Sequence, residues 1–190
     1  MRAIFHAEPE APATNIEIAS ITPHTREPDT KERQIKRLPR WLALAMLNRR
    51  FSILAKKEDA PFVSAGAAVD ERFDFLRDSS VALSSKPEQW RDALAVGEQE
   101  LRRALEHGFS AAELKEAAAN IANQLEQAAK TASTRHSNHV ANEIVGTALT
   151  GDVLTTAEDD LALLKPALEK LTPADCLAAL RRDFDAPGRS

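Results

Sequence analysis

The residues able to do chemistry in this chain are five histidines and one cysteine, set among common acidic and basic side chains. A helical H-E-x-x-H or H-x-x-E-H motif would supply two zinc ligands and a general base on one surface. Neither motif is complete here. The segment from His24 to Pro28 matches four positions of H-x-x-E-H, but proline stands at the fifth and the setting is a predicted loop. We therefore expect no metal to bind at His24.

A second group of metal-like side chains comprises His136, His139 and Glu143. Spacings of three and four residues place side chains on one face of a helix, so these three could converge. A zinc site also needs outer hydrogen-bonding partners that orient its ligands. Ser137 and Asn138 make the segment polar, which is typical of a solvated helix start. We interpret it as such a start and keep the three residues as the alternative metal ligands.

Signatures of other catalytic sites are missing from the sequence. It contains no G-x-S-x-G nucleophile turn, no G-x-x-x-x-G-K-S/T phosphate loop and no G-x-G-x-x-G dinucleotide motif. The one cysteine, Cys176, lies among helical alanines and leucines, so we expect a small buried apolar side chain rather than a nucleophile. A single cysteine also excludes an internal disulfide and a multi-cysteine zinc site. The sequence thus indicates no catalytic residue.

The composition is that of an ordinary globular protein, with 190 residues, 43% hydrophobic, 28% charged and a net charge of −4. This length fits one domain with a sizeable core, and we take residues 1–190 as a single domain. The mild acidity argues against a nucleic-acid partner, which would favour a basic stripe. No apolar run approaches the roughly 20 residues that a membrane helix needs, so we expect no membrane insertion. The first residues also lack the apolar core of a signal peptide.

Alternating apolar and polar residues predict strands in the first half of the chain. These strands cover 2–7, 14–22, 61–73 and 75–86, with a turn near 70–74 joining the last two. Apolar residues recurring every three or four positions predict a long helix from about Asp29 to about Lys57. Pro39 lies inside this helix and removes one backbone donor, so we expect a kink or a new helix start there.

Helical patterns dominate the chain after Lys86. Pro87 fits a first helical turn, and the segment from Ser110 to Glu113 is a capping box that opens the next helix. Further helices are predicted at 136–149, 158–168 and 172–182. Strands followed by a helical block indicate the α+β class rather than alternating βαβ units.

The order and spacing of two segments resemble a known family. The segment LNRRFSILAKKEDAPF, Leu47 to Phe62, is similar to the R-L-x-x-L-x-x-x-x-x-A-P-F/Y pattern of M16 zinc peptidases, the pitrilysin or insulinase-like family. The segment from Trp90 to Leu114 is similar to that family's E-x-x-R-x-x-x-x-G-F-t-x-x-E-L pattern. Residues that match the second pattern are Glu100, Arg103, Gly108, Phe109, Glu113 and Leu114. The resemblance runs from about Phe5 to Phe184 and is to the second domain of one half of such a peptidase.

The resemblance implies an antiparallel-rich sheet covered by helices, in halves that enclose a chamber. In the family, the first domain holds H-x-x-E-H and a downstream zinc-ligating glutamate, and a later domain lends an arginine and a tyrosine to the substrate site. At the matching positions this chain has Arg50 and Phe62. Phenylalanine cannot donate a hydrogen bond to an oxyanion. We therefore predict a non-catalytic supporting domain, with Arg50 and Phe62 as substrate or interdomain residues and core packing as the alternative for Phe62.

The resemblance also implies that the chain is a piece of a longer protein. Zinc is expected in that parent protein and not in this segment. The expected partners are an upstream zinc-binding domain, the other half of the same protein and a peptide substrate. The alternatives are an inactive homologue that binds a peptide or a partner, a helical interaction module, and a small metal enzyme using the histidines. The family occurs in the bacterial periplasm, in the cytoplasm and in organelles, so the resemblance does not fix a compartment.

Overall fold

A three-stranded antiparallel sheet and six α-helices make up residues 13–184, the part of the chain that the computed structural model describes. The strands are β1 (Thr14–Pro23), β2 (Ser64–Arg72) and β3 (Leu76–Ser85), in the spatial order β1-β3-β2. The central strand β3 pairs with both neighbours along its length. The predicted α+β class is confirmed. The predicted strand at 2–7, which contains His6, lies outside the described residues.

Strands β2 and β3 form a hairpin with a strained, aromatic loop. Arg72 pairs with Leu76, which leaves Phe73, Asp74 and Phe75 in the loop. Phe73 and Asp74 have φ values of 55° and 60°, a region that bulky side chains rarely adopt. The two phenylalanine rings stack with their centroids 5.9 Å apart, and both are exposed. The turn predicted near 70–74 is confirmed.

Helix α1 (Lys31–Leu54) packs against the sheet and the later helices. The Thr30 side chain caps its first turn by accepting a backbone hydrogen bond. The helix runs through Pro39 without interruption, so the predicted alternative of a new helix start is wrong. Only one backbone donor is lost at the proline, and the neighbouring side chains of Leu38 and Leu42 are buried in the core and hold the helix in place.

A side chain from α1 covers part of the open edge of the sheet. β2 is an edge strand, and the Asn48 side chain lies beside it. The Asn48 amide accepts a hydrogen bond from the backbone N–H of Ala67 at 2.6 Å and donates one to the Ala67 carbonyl at 3.1 Å. These are the hydrogen bonds that a further strand would otherwise supply at this position. Asn48 therefore fixes α1 relative to the sheet.

Five further helices follow the sheet, and each confirms a predicted one. They are α2 (Trp90–His107), α3 (Ala111–Thr131), α4 (Ser137–Thr150), α5 (Ala157–Leu168) and α6 (Pro173–Phe184). Ser110 and Glu113 form the predicted capping box at the start of α3. Gly108 and Gly151 end α2 and α4 at φ values of 68° and 64°, which glycine adopts without strain. Within residues 13–184, no helix combines the length and apolar character needed to cross a lipid bilayer.

The core lies between the sheet and α1 and extends among the later helices. Burial of these apolar side chains supplies the main favourable free energy of folding. The largest fully buried apolar side chains are Phe51, Phe184, Leu38, Leu42, Leu47, Leu101, Leu180 and Val81.

Candidate functional site

The Arg50 guanidinium lies at the centre of a polar network that joins α1 to the start of α3. Its Nε donates to Glu113 Oε1 at 2.6 Å, and one terminal nitrogen donates to Glu113 Oε2 at 3.0 Å and to the Gly108 carbonyl at 2.9 Å. The other terminal nitrogen donates to Glu100 Oε1 at 3.3 Å. The guanidinium carbon also lies 4.9 Å from the centre of the Phe109 ring. All three nitrogens of Arg50 therefore have partners inside the domain.

This network favours the charged form of both members of its main ion pair. The hydrogen bond from Arg50 lowers the pKa of Glu113 to about 2, since it and the contacts with Ser110 outweigh the effect of burial. In the same way, the hydrogen bond to Glu113 raises the pKa of Arg50. The Arg50 side chain is only 14% exposed. The arrangement ties two helices together and leaves little of the guanidinium accessible to a ligand.

Phe62 lies just before β2 and is 3% exposed. It belongs to the main apolar core, so the structure shows the core packing that was considered as the alternative for this residue. The structure thus gives Arg50 and Phe62 internal surroundings of different kinds, one polar and one apolar. A role for either residue in substrate or interdomain contact stays a prediction.

The three alternative metal ligands lie at the start of α4. His136 occupies the cap position before the helix, and His139 lies in its first turn. The carboxylate of Glu143 forms an ion pair with Arg135. No group of three or more His, Cys, Asp or Glu side chains within residues 13–184 is arranged to hold a metal ion. The structure therefore offers no assembled metal site in its described part.

His24 lies directly after β1 and takes partners other than its motif neighbour. Its Nε2 lies 3.4 Å from a Glu71 carboxylate oxygen, and its Nδ1 lies 3.1 Å from a terminal nitrogen of Arg77. Glu27, the other residue of the incomplete H-x-x-E-H motif, lies 3.8 Å from Lys36 instead. The two residues of the incomplete motif thus pair with different side chains.

The Cys176 thiol is fully buried in α6. Burial raises its pKa to about 11, and the nearby charge of Asp175 acts in the same direction. A thiol with such a pKa is almost entirely protonated at neutral pH and is a poor nucleophile. The predicted apolar packing of Cys176 is confirmed.

Helix α4 carries a broad apolar face that nothing in the described structure covers. None of its residues is buried. Val140, Ile144, Val145 and Leu149 are 38%, 48%, 56% and 82% exposed, and at 3.6 residues per turn they are spread over about half of the helix circumference. Exposed apolar surface continues into the following loop. Contiguous apolar surface of this kind marks an interaction site more often than an isolated exposed side chain does.

Sequence analysis missed this face. The periodicity of Val140, Ile144 and Leu149 predicts a helix, and the helix is present. Its polar first turn, with His136 and His139, suggested a solvated segment. A periodic apolar pattern does not reveal whether the domain's own elements cover it, because coverage depends on the tertiary arrangement. The signal available in the sequence was the lack of charged side chains between Ile144 and Gly151.

Comparisons with known proteins show which solved structures have a similar architecture. No protein-family model and no curated protein sequence matches this chain. Among solved structures, the chain is similar to the first half of the periplasmic protease PqqL from Escherichia coli, with a TM-score of 0.81 and 15% identity. That similarity covers 93% of this chain and 38% of the PqqL half.

Two other solved structures give the same result. A predicted insulinase family protease from Yersinia pestis has a TM-score of 0.77 and 17% identity, over 94% of this chain and 38% of that one. A peptidase M16 inactive domain from Pseudomonas fluorescens has a TM-score of 0.59 and 14% identity, over 90% of this chain and 38% of that one. This chain therefore spans well under half the length of each of these three protein chains. It has the fold of a domain of the M16, insulinase-family proteases, a group of structures that includes inactive peptidase domains.

Proposed function

We propose that this chain is a non-catalytic supporting domain of an M16-like zinc metallopeptidase. It would form part of the chamber wall, pack against a companion domain and contact peptide substrate. The observation that carries the proposal is the fold match, which covers over nine-tenths of this chain and 38% of a protease half. The remainder of such a half would hold the zinc ion and the H-x-x-E-H motif.

The internal use of Arg50 supports a structural role. Its guanidinium is engaged by Glu113, Glu100 and the Gly108 carbonyl. A group held this way contributes to the stability of the domain and is poorly placed to stabilise charge on a substrate. Peptide contact would then come from other surfaces of the domain.

The apolar face of α4 supports packing against a companion domain. We propose that its occupant is the zinc-binding domain of the same half. More than half of the PqqL half and of the Yersinia pestis protease lies outside the similar region, so a domain in such a protein needs a docking surface for the rest. Within residues 13–184, α4 is the helix whose large apolar residues are all exposed.

Binding of the purified chain to that zinc-binding domain tests the proposal. Ile144→Asp should weaken the complex at least about tenfold, because burying an isoleucine contributes roughly 1.5–3 kcal/mol. Ile53→Asp is the matched control, since Ile53 and Ile144 are each 48% exposed. Isothermal titration calorimetry measures both affinities. Equal affinities of Ile144→Asp and Ile53→Asp would contradict the assignment of α4 as the docking surface. A complete reading frame that encodes no zinc-binding domain would contradict the supporting role.

A second candidate is a catalytically inactive homologue that binds a peptide or a partner. The similarity to the Pseudomonas fluorescens inactive domain favours it as much as it favours the first proposal. The two differ in whether the complete protein contains H-x-x-E-H. Zinc analysis of the complete protein distinguishes them, since only the first predicts one zinc ion per chain.

A further inference from the structure

A cationic pocket lies between the end of β1, the first half of α1 and neighbouring residues of β2, β3 and α6. Its volume is about 140 Å³. Six of the side chains that line it are cationic, namely Arg33, Lys36, Arg37, Arg40, Arg77 and Arg182. Only two are acidic, Glu27 and Glu71. The pocket therefore has a surplus of positive charge in a protein that is acidic overall.

The carboxylate of Glu71 contacts most of the basic side chains around the pocket. Glu71 lies 3.0 Å from Arg40 and 3.3–3.4 Å from each of its other basic neighbours. Those neighbours are His24, Arg33, Arg37 and Arg77. Burial opposes ionisation of Glu71, but the hydrogen bond and charge of Arg40, with the nearby cations, lower its pKa to about 2. Glu71 thus supplies one negative charge to four guanidinium groups, of which Arg40 and Arg77 also pair with Asp183.

The other carboxylates around the pocket engage only part of the remaining charge. Asp183 is 2% exposed and pairs with Arg40 at 2.7 Å and Arg77 at 3.5 Å. Asp29 and Asp152 each lie 3.9 Å from Arg33, beyond hydrogen-bonding distance. The outer pair of Glu27 and Lys36 is mostly exposed. Arg37 therefore shares Glu71 with the other arginines, and within residues 13–184 no acidic side chain pairs with Arg182, which also lines the pocket.

Two buried donors at this site have no hydrogen-bond partner in the described structure. They are one terminal nitrogen of Arg33 and Nε of Arg77. The Arg33 side chain is only 10% exposed, so water cannot freely solvate it. A buried charged donor without a partner is costly, and its presence in a folded protein calls for an explanation.

We propose that this pocket binds a small dianion of the phosphate class, either free phosphate or a phosphomonoester. Arg33, Arg37 and Arg40 lie at helical spacing and share one face of α1, and Arg77 approaches from β3. Guanidinium groups converging from two elements match a tetrahedral phosphate, which offers more acceptor oxygens and more negative charge than a carboxylate does. A dianion would also offset the surplus charge and supply acceptors for the unpartnered donors. This inference is independent of the proposed protease role.

Calorimetric titration of the chain with inorganic phosphate near neutral pH, at an ionic strength fixed with sodium chloride, tests the proposal. We expect saturable binding that Arg33→Gln weakens about tenfold or more, since a hydrogen bond to a charged group contributes roughly 1.5–3 kcal/mol. Arg49→Gln is the control, because Arg49 lies on the same helix but does not line the pocket. A simple phosphomonoester is titrated in parallel. Whichever of the two, free phosphate or the phosphomonoester, binds more tightly is the class of ligand that the pocket recognises.

A second variant keeps the test valid if Arg33→Gln does not fold. Arg37 is 42% exposed and has a single acidic contact, so Arg37→Gln should fold normally and still weaken phosphate binding. Three results would overturn the proposal. These are heats no larger than those of the matched chloride titration, equal affinities in Arg37→Gln and Arg49→Gln, or acetate binding as tightly as phosphate.

Discussion

The guanidinium of Arg50 and the carboxylate of Glu113 form a two-point ion pair, with nitrogen–oxygen distances of 2.6 Å and 3.0 Å. The pair joins the last turns of α1 to the first turn of α3. The neighbouring arginine makes a different contact. Arg49 pairs with Glu116 at 3.1 Å, and both side chains are about half exposed, at 52% and 53%. The two adjacent arginines thus provide a matched comparison of a partly buried ion pair with an exposed one.

Arg50→Ala should destabilise the domain by about 3 kcal/mol, because it leaves the partly buried carboxylate of Glu113 without its cation and leaves Glu100 with Arg103 alone. Arg49→Ala should cost less than about 1 kcal/mol, since an exposed ion pair contributes little. Urea unfolding followed by circular dichroism measures both values. Equal losses in the two variants would contradict the assignment of Arg50 as a structural contact between helices.

Stability should fall as the pH drops from about 4.5 to about 2. The pKa values of Glu71 and Glu113 are each lowered from 4.5 to about 2 by their arginine partners. Because the unfolded chain takes up these protons more readily, the stability from both pairs is complete above about pH 4.5 and is lost on acidification. Glu113→Gln has one such carboxyl fewer, so its free energy of unfolding should depend less steeply on pH in this window. If the free energy of unfolding varied with pH in the same way for Glu113→Gln and the unmodified chain, the Arg50–Glu113 pair would not couple folding to proton uptake.

Alanine should have opposite effects at two helical glycines. A Cβ added at Gly97 would lie 2.7 Å from a methyl carbon of Leu83, which is buried on β3. A Cβ added at Gly146 would meet nothing within 4 Å. Gly97→Ala should therefore cost about 1–2 kcal/mol net, because overpacking exceeds the gain in helix propensity. Gly146→Ala should gain up to about 1 kcal/mol. Thermal unfolding measures both, and a stabilised Gly97→Ala would show that α2 is not pressed against the sheet as described.

The Cys176 thiol should resist alkylation in the folded chain. It is fully buried, and its pKa is raised to about 11, so both access and thiolate content are low. Labelling by a thiol reagent should be slow in buffer and rapid in denaturing urea. Fast labelling of the native chain would mean that α6 opens locally or that the thiol is accessible.

Local sequence signals predicted most helices and strands, but they did not predict how tertiary contacts act on those elements. Alternation predicted the hairpin around Phe73, and the capping box at Ser110 and Glu113 predicted where α3 begins, because both depend on neighbours in the sequence. Pro39 allowed either a kink or a new helix start, and only the new start is wrong, because α1 continues through the proline and the burial of the flanking leucines is a tertiary effect.

The candidate sites were less predictable than the fold. The resemblance drew attention to Arg50, but its partners Glu100, Gly108 and Glu113 come together only when α1, α2 and α3 pack. The arginines around Glu71 come from α1 and β3, which no sequence spacing connects. The apolar face of α4 was visible as periodicity, but its lack of cover depends on where every other element lies.

The central claim is that this domain supports a zinc-dependent peptidase without carrying its chemistry. The most direct measurement determines zinc by elemental analysis and cleavage of a quenched peptide, for the chain alone and for its complex with the zinc-binding domain of the same half. We predict no stoichiometric zinc and no cleavage for the chain alone, and chelator-sensitive cleavage for the complex that is lost when this chain is omitted. One tightly bound zinc ion in the chain alone, with cleavage abolished by replacing His136 and His139 with alanine, would contradict the account.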